Sequence, residues 1–226
     1  ELNGRVYEKL AEHVGRFPVV IVVPDATQLI KEGSEERRRF LNNTLSQLDQ
    51  EYLQHLLQYN KILKQRNALL KQWGGRMQSE DLLPIYDQQL AKPAQYIHAR
   101  RAAFIEQFQA PFQEAHQAIC GGQEEVVLSY RSALTETTLA DLLQERREKD
   151  VVMERTTQGI HRDDLVFKLD QHPLKRLGSQ GQLKSFVLAL KLAQYRFLQE
   201  EWKVAPFLLL DDIFDKLDPQ RVEQLV

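Results

Sequence analysis

Asp211-Asp212 stand directly after four large apolar residues, Phe207 to Leu210. Four such residues in a row read as a strand buried on both faces, as in a parallel sheet. Strands of that kind deliver their chemistry at the carboxyl end. Two carboxylates there suit a magnesium ion and a water held for attack. Upstream, Gly178-Ser179-Gln180-Gly181-Gln182 is a short polar turn, followed by apolar residues at helical spacing: Leu183, Phe186, Val187, Leu190, Ala193 and Phe197. A turn that opens a helix leaves free N–H groups at the positive end of the dipole, which suits a phosphate.

A complete phosphate cradle has the form G-x-x-x-x-G-K-[ST]. Gly178 to Ser185 imitates it, but Leu183 stands where the second glycine belongs. A side chain there blocks close approach of a phosphate to the backbone. No other glycine suitably precedes a Lys-Ser or Lys-Thr pair, so the chain as given has no Walker A segment.

Other polar groups admit two readings each. Lys61, Lys64, Arg66, Lys71 and Arg76 follow one another with no acid between them. They form either a solvated face or a set of contacts to nucleic-acid phosphates. His161-Arg162-Asp163-Asp164 offers a metal-ligand type, but a lone His beside two Asp fits a structural turn better.

The elements that must hold these residues follow in order. Phe17 to Val23 is β-branched and continuous, hence a buried strand, ended by Pro24-Asp25. Ser34 to about Gln72 carries Leu41, Leu45, Leu48, Tyr52, Leu56, Tyr59 and Leu63 at three-four spacing, which predicts one long amphipathic helix. Glu35 and Glu36 suit its first turn, and Trp73-Gly74-Gly75 its end. A second helix is expected from about Glu80 to Ile119, with a late start or kinks at Pro84, Pro93 and Pro111. Strand character returns at Glu125 to Tyr130, a helix at Thr135 to Arg147, and a strand at Leu165 to Leu169.

Ser179 to Gln182, Phe207 to Asp212 and Asp215-Lys216-Leu217-Asp218 resemble, in order, the signature, Walker B and D-loop of ABC ATPases. The wording SQGQ, LALKLA and LLLDD resembles most closely the RecF family of bacterial recombination mediator ATPases. PDATQLIKEGSEERRRFLN, QRNALLK and QQLAKPAQYIHARRAAFI resemble that family too, as does His161 to Leu165, although Ile160 replaces its proline. The resemblance covers nearly the whole chain. It implies an α/β P-loop NTPase fold of ABC-ATPase type, here without the Walker A part, interrupted by an α-helical lobe. The expected division is 1–33 ATPase lobe, 34–120 antiparallel helix arm and 121–226 ATPase lobe.

The resemblance also implies roles. Ser179, Gln180, Gly181 and Gln182 would touch the γ-phosphate of ATP bound by a partner copy. Asp211 would hold Mg2+ through its water shell, and Asp212 would polarise the attacking water. Asp218 would sit at the dimer seam or cap the helix that follows it. Gln28 is either the Q-loop glutamine or a polar loop residue. The implied function is ATP-dependent dimerisation on double-stranded DNA and single-strand/double-strand junctions at gapped or stalled replication sites. Slow hydrolysis, cooperation with RecR and RecO, and RecA loading accompany it. The rivals are an SMC-type ATPase head, a transporter's nucleotide-binding subunit and a non-catalytic scaffold. The short link from Gly74 to Glu80 argues against SMC arms, and SQGQ departs from the transporter's Leu-Ser-Gly-Gly-Gln.

Composition sets the remaining bounds. The chain has 226 residues, 42% hydrophobic and 27% charged, ordinary for a globular protein. Its net charge of −2 makes any nucleic-acid surface a local matter. A single cysteine excludes an internal disulfide and fits the reducing cytoplasm. No apolar run approaches the roughly 20 residues that span a bilayer. The chain does not begin with Met, and the expectation is of a longer protein with a P-loop upstream.

Overall fold

The computed structural model describes residues 9–23, 27–77, 82–122 and 124–211. Strand β1 (Val19–Val22) lies parallel to β5 (Phe207–Leu210), with Val19 opposite Phe207 and Val22 opposite Leu210. A second sheet has the order β2 (Val126–Arg131), β3 (Asp164–Leu169), β4 (His172–Pro173). The helices are α1 (Gln28–Lys31), α2 (Ser34–Leu48), α3 (Gln50–Trp73), α4 (Leu83–Cys120), α5 (Leu139–Glu145), α6 (Arg147–Val152), α7 (Leu174–Leu177) and α8 (Gln180–Trp202). The chain divides into two compact units. One comprises residues 1–50, 104–129 and 165–226; the other comprises 51–103 and 130–164.

Two expectations need correction. The long helix from Ser34 is two helices, because Asp49 is extended (φ −137°, ψ 105°) and closes α2. The apolar spacing continues across the break, so periodicity alone could not show it. The second helix has the late start that Pro84 allowed, with Pro84 in its first turn, where a missing N–H costs nothing; it then runs through Pro93 and Pro111 to Cys120. The second correction concerns the strands. Val20 and Val22 are buried on the side that meets α8, but their neighbours Ile21 and Leu209, paired across β1 and β5, are 46% and 51% exposed. β1 is therefore half-buried, and no residue of β5 is buried, so the pair has one face open among the described residues.

The core of the first unit is aromatic. Phe104 stacks on Phe108 at 4.8 Å between centroids, and Phe186 meets Phe112 at 4.9 Å and Phe167 at 5.3 Å. Such pairs add about 0.5–1.5 kcal/mol each beyond the area they bury. A buried polar chain joins α2 to α8: Gln194 Nε2 donates to Thr44 Oγ1 (2.8 Å), which donates to Phe40 O (2.8 Å). Gln109 and Gln113, one turn apart on α4, bond the backbone of β2. Their amide oxygens accept from Leu128 N (2.9 Å) and Val126 N (2.8 Å), and their amide nitrogens donate to Val126 O and Glu124 O.

The second unit holds its charges inside. Arg66 is fully buried and donates to Asp87 Oδ1 and Asp150 Oδ2, both at 2.7 Å, and to Thr156 Oγ1 at 2.9 Å. Asp150 also accepts from Thr157 N (2.8 Å) and Thr157 Oγ1 (2.6 Å). Arg101, equally buried, donates to Tyr52 Oη (3.1 Å), Ile160 O (2.9 Å) and Asp163 Oδ2 (2.9 Å). Tyr130 Oη donates to the same Asp163 oxygen. Burial pushes the Tyr130 phenol up, so it stays a neutral donor.

His161 sits between Tyr59 Oη (2.8 Å) and Thr156 O (3.1 Å). A carbonyl can only accept, so Nε2 carries the proton and Nδ1 accepts from the tyrosine. Gly159 (φ +126°) leads into this turn, and a Cβ there would meet Tyr59 Oη at 2.5 Å. His161 and Asp163 are thus structural groups, as the turn reading expects.

Candidate functional site

The turn before α8 is built by its own sequence. Ser179 is the N-cap, and Gln182 is the third helical residue. Ser179 Oγ accepts from Gln182 N at 3.2 Å, and Gln182 Oε1 accepts from Ser179 N at 2.9 Å. This reciprocal pair is a capping box, legible as S-x-x-Q. It fixes the turn and leaves the Ser179 hydroxyl proton available to donate. Gln182 is itself anchored, since its Nε2 donates to Glu124 Oε1 at 3.1 Å. That anchor lies 58 residues away in sequence and has no local signal.

Gly181 has a different role. A Cβ there would meet nothing nearer than Ser179 Oγ at 3.9 Å, so packing within the chain does not require glycine. The space is open to something approaching from outside. Ser179, Gln180 and Gly181 are all exposed. The turn thus presents free backbone N–H groups, a hydroxyl donor and the positive end of a 23-residue helix dipole to solvent. Leu183 is buried in the core, which agrees with rejecting a P-loop at this position.

Asp211 follows β5 and is exposed, with its N–H donating to Val22 O at 3.0 Å. It lies at the carboxyl end of the parallel pair, where the strand reading put it. A hard carboxylate oxygen facing solvent there fits a hydrated Mg2+. Asp212 and Asp218 lie outside the described residues. No hydrogen bond or ion pair among the described residues joins the turn to Asp211.

Near the carboxyl end of β1 is a hollow of about 200 Å³, lined by Ile21, Val23, Gln28, Leu29, Glu36, Arg39, Phe40, Asn43 and Lys191. Gln28, the Q-loop candidate, is therefore on its wall. Lys191 was not singled out from sequence. Its amine lies 5.7 Å from the Phe40 ring centroid and 3.3 Å from Gln194 Oε1, and burial pushes it down to about 8.

The basic run separates into two groups. Lys61, Lys64 and Lys71 lie on one arc of α3, and Lys61, Lys64, Lys71 and Arg76 are exposed. Arg66 does not belong with them. It points to the opposite side of α3 and is neutralised by Asp87 and Asp150. A buried guanidinium with two carboxylate partners has no charge left for a phosphate. Its partners lie 21 and 84 residues away, beyond the reach of any local charge count.

Comparison with known proteins gives the lineage. No family model matches the chain. The DNA replication and repair protein RecF of Flavobacterium johnsoniae is 49% identical over 225 residues, 99% of this chain and 63% of the relative. RecF of Parabacteroides distasonis is 46% identical over 99% of this chain and 60% of the relative. The chain is a RecF homologue along its whole length. Two solved structures of the recombination mediator RecF in the RecFOR pathway, with ATP and with ATPrS, align at TM-scores of 0.90 and 0.84. Both are 32% identical and cover 99% and 97% of this chain. The fold is accordingly α/β of ABC-ATPase type with an α-helical lobe. The chain spans about three-fifths of the length of these RecF relatives. No helix among the described residues is long and apolar enough to cross a membrane.

Proposed function

We propose that the chain is the signature-bearing part of a RecF-like DNA repair and recombination ATPase, whose ATP site is completed by a second copy. The observation that carries this is the Ser179–Gln182 turn. It is pre-shaped by its own capping box, faces solvent, keeps the Ser179 hydroxyl proton and the Gln180 and Gly181 N–H groups unspent, and leaves space at Gly181. No hydrogen bond or ion pair among the described residues joins this turn to Asp211, at the carboxyl end of β5. A turn that serves its own chain's nucleotide would need the phosphates and the Walker B carboxylate within one site. A turn that serves a partner's γ-phosphate needs only an outward face.

In this reading Ser179 Oγ–H and the N–H groups of Gln180 and Gly181 bind the γ-phosphate across the seam. Asp211 carries the shell of a Mg2+, which supplies charge neutralisation on the phosphates. Asp212 orients the attacking water, its short arm going with slow hydrolysis, and Asp218 lies at the seam. The dimer forms on double-stranded DNA and single-strand/double-strand junctions at gapped or stalled replication sites in the cytoplasm. It works with RecR and RecO ahead of RecA loading. Lys61, Lys64, Lys71 and Arg76 contribute phosphate contacts.

The test uses the full-length protein. Ser179→Arg should leave ATP binding by the monomer intact and abolish ATP-induced dimerisation in sedimentation. Equal loss of both would place Ser179 in its own protomer's site and overturn the reading.

A further inference from the structure

α4 ends in a cluster that ATP chemistry does not use. His116 Nε2, Cys120 Sγ and a Glu124 carboxylate oxygen lie within 4.8 Å of one another. His116 and Cys120 are one helical turn apart on α4, so the helix aims both side chains at the same point. Glu124 is brought back by the turn at Gly121 (φ +61°), and Gln113 Nε2 holds its carbonyl at 3.1 Å. We propose that His116, Cys120 and Glu124 form a binding site for a divalent transition-metal ion of the Zn2+ class, coupled through Glu124 to the turn that opens α8.

One pair of the three is already at ligand spacing. Zn–N near 2.0 Å and Zn–S near 2.3 Å in a tetrahedron place the two donor atoms about 3.5 Å apart. His116 Nε2 and Cys120 Sγ are 3.5 Å apart. One nitrogen, one sulfur and one oxygen donor select zinc-like ions over Mg2+ or Ca2+. A thiolate and a carboxylate together neutralise a dication in this half-buried place. The outer shell is present as well. Gln182 Nε2 donates to Glu124 Oε1, which leaves the other carboxylate oxygen for the ion. Gln182 Oε1 in turn accepts from Ser179 N. An ion bound to Glu124 would therefore fix the amide that shapes the turn. Three protein ligands leave a fourth position for water.

The test is on full-length protein stripped with EDTA and desalted. Zn2+ is titrated against a chromophoric chelator, and Co2+ is followed by absorption. One Zn2+ per chain is expected, together with a thiolate-to-cobalt charge-transfer band that Cys120→Ser abolishes. Glu124→Gln keeps an acceptor for Gln182 and should weaken Zn2+ by about a hundredfold, while Gln182→Ala should weaken it about tenfold. Absence of the charge-transfer band in the wild-type protein overturns the proposal, whatever the variants do. So does its persistence in Cys120→Ser, or unchanged Zn2+ affinity in Glu124→Gln.

Discussion

Arg66 and Lys64 are two residues apart on α3, and the sequence offers them as equals; the fold treats them in opposite ways. Arg66 turns inward and spends its charge on Asp87 and Asp150, whereas Lys64 stays in water with no acid in its segment. The same contrast holds between the interior of the helical unit and the turn before α8. Inside, the polar groups described answer one another: Arg101 with Asp163, Tyr130 with Asp163, Tyr59 with His161. At the turn, the capping box satisfies the helix and leaves donors facing out. Polar groups of the first kind fix a unique fold, and those of the second kind are left for another molecule.

Substitutions can break this contrast, and the largest effect belongs to the interior. Arg66→Met strands two carboxylates in a dry site and should cost about 3–5 kcal/mol in urea unfolding. Salt dependence of DNA binding by the folded remainder should not change. A loss near zero, with a flatter salt slope, would return Arg66 to the exposed set.

Lys191 gives an effect of the opposite sign. Burial lowers its amine to about 8 from 10.5, so the unfolded chain binds more protons between those values. The penalty is fully present below pH 8 and fades as pH rises towards 10.5. Lys191→Met should stabilise the protein by about 1–3 kcal/mol at neutral pH. The gain should shrink steadily above pH 8. A pH-independent gain would mean that the amine is not desolvated.

Ser179→Ala should cost about 1 kcal/mol through loss of the cap. Ser179→Asp keeps the cap but presents a negative charge to the phosphate. If only the helix matters, Asp should restore ATP-induced dimerisation; if the hydroxyl binds phosphate, dimerisation should fail in both variants. The smallest effect on stability is on the outer face of α3. Lys61, Lys64 and Lys71 changed together to Gln should move stability by less than about 0.5 kcal/mol. They should also flatten the slope of log K against log salt by about two to three. An unchanged slope would make that arc an ordinary solvated surface.

How much could be read in advance follows the same division. The turn, the strand before Asp211 and the helix ends at Trp73 and Cys120 depend on neighbours in sequence, and local pattern found them. The burial of Arg66 depends on Asp150, 84 residues on, and no local pattern carries that. The break at Asp49 was hidden because the apolar spacing of α2 runs on into α3. The open face at Ile21 and Leu209 was hidden for a different reason. A run of apolar residues has the same composition whether one face is covered or two.

Gln109 and Gln113 carry a consequence for self-association. Bare N–H and C=O groups along a strand edge are a template on which another chain can pair. β2, with the sequence VVLSYR, has no proline or acidic gatekeeper of its own to prevent this. Two side-chain amides from a helix occupy the hydrogen-bonding groups of Val126 and Leu128 instead. The shield on this strand therefore melts with the end of α4 rather than with the sheet. Fraying from Cys120 back by about three turns would bare the edge while β2 and β3 remain paired. Amide exchange at Val126 and Leu128 should then keep pace with the last turns of α4, and mild heating should start aggregation from this edge before the sheet unfolds.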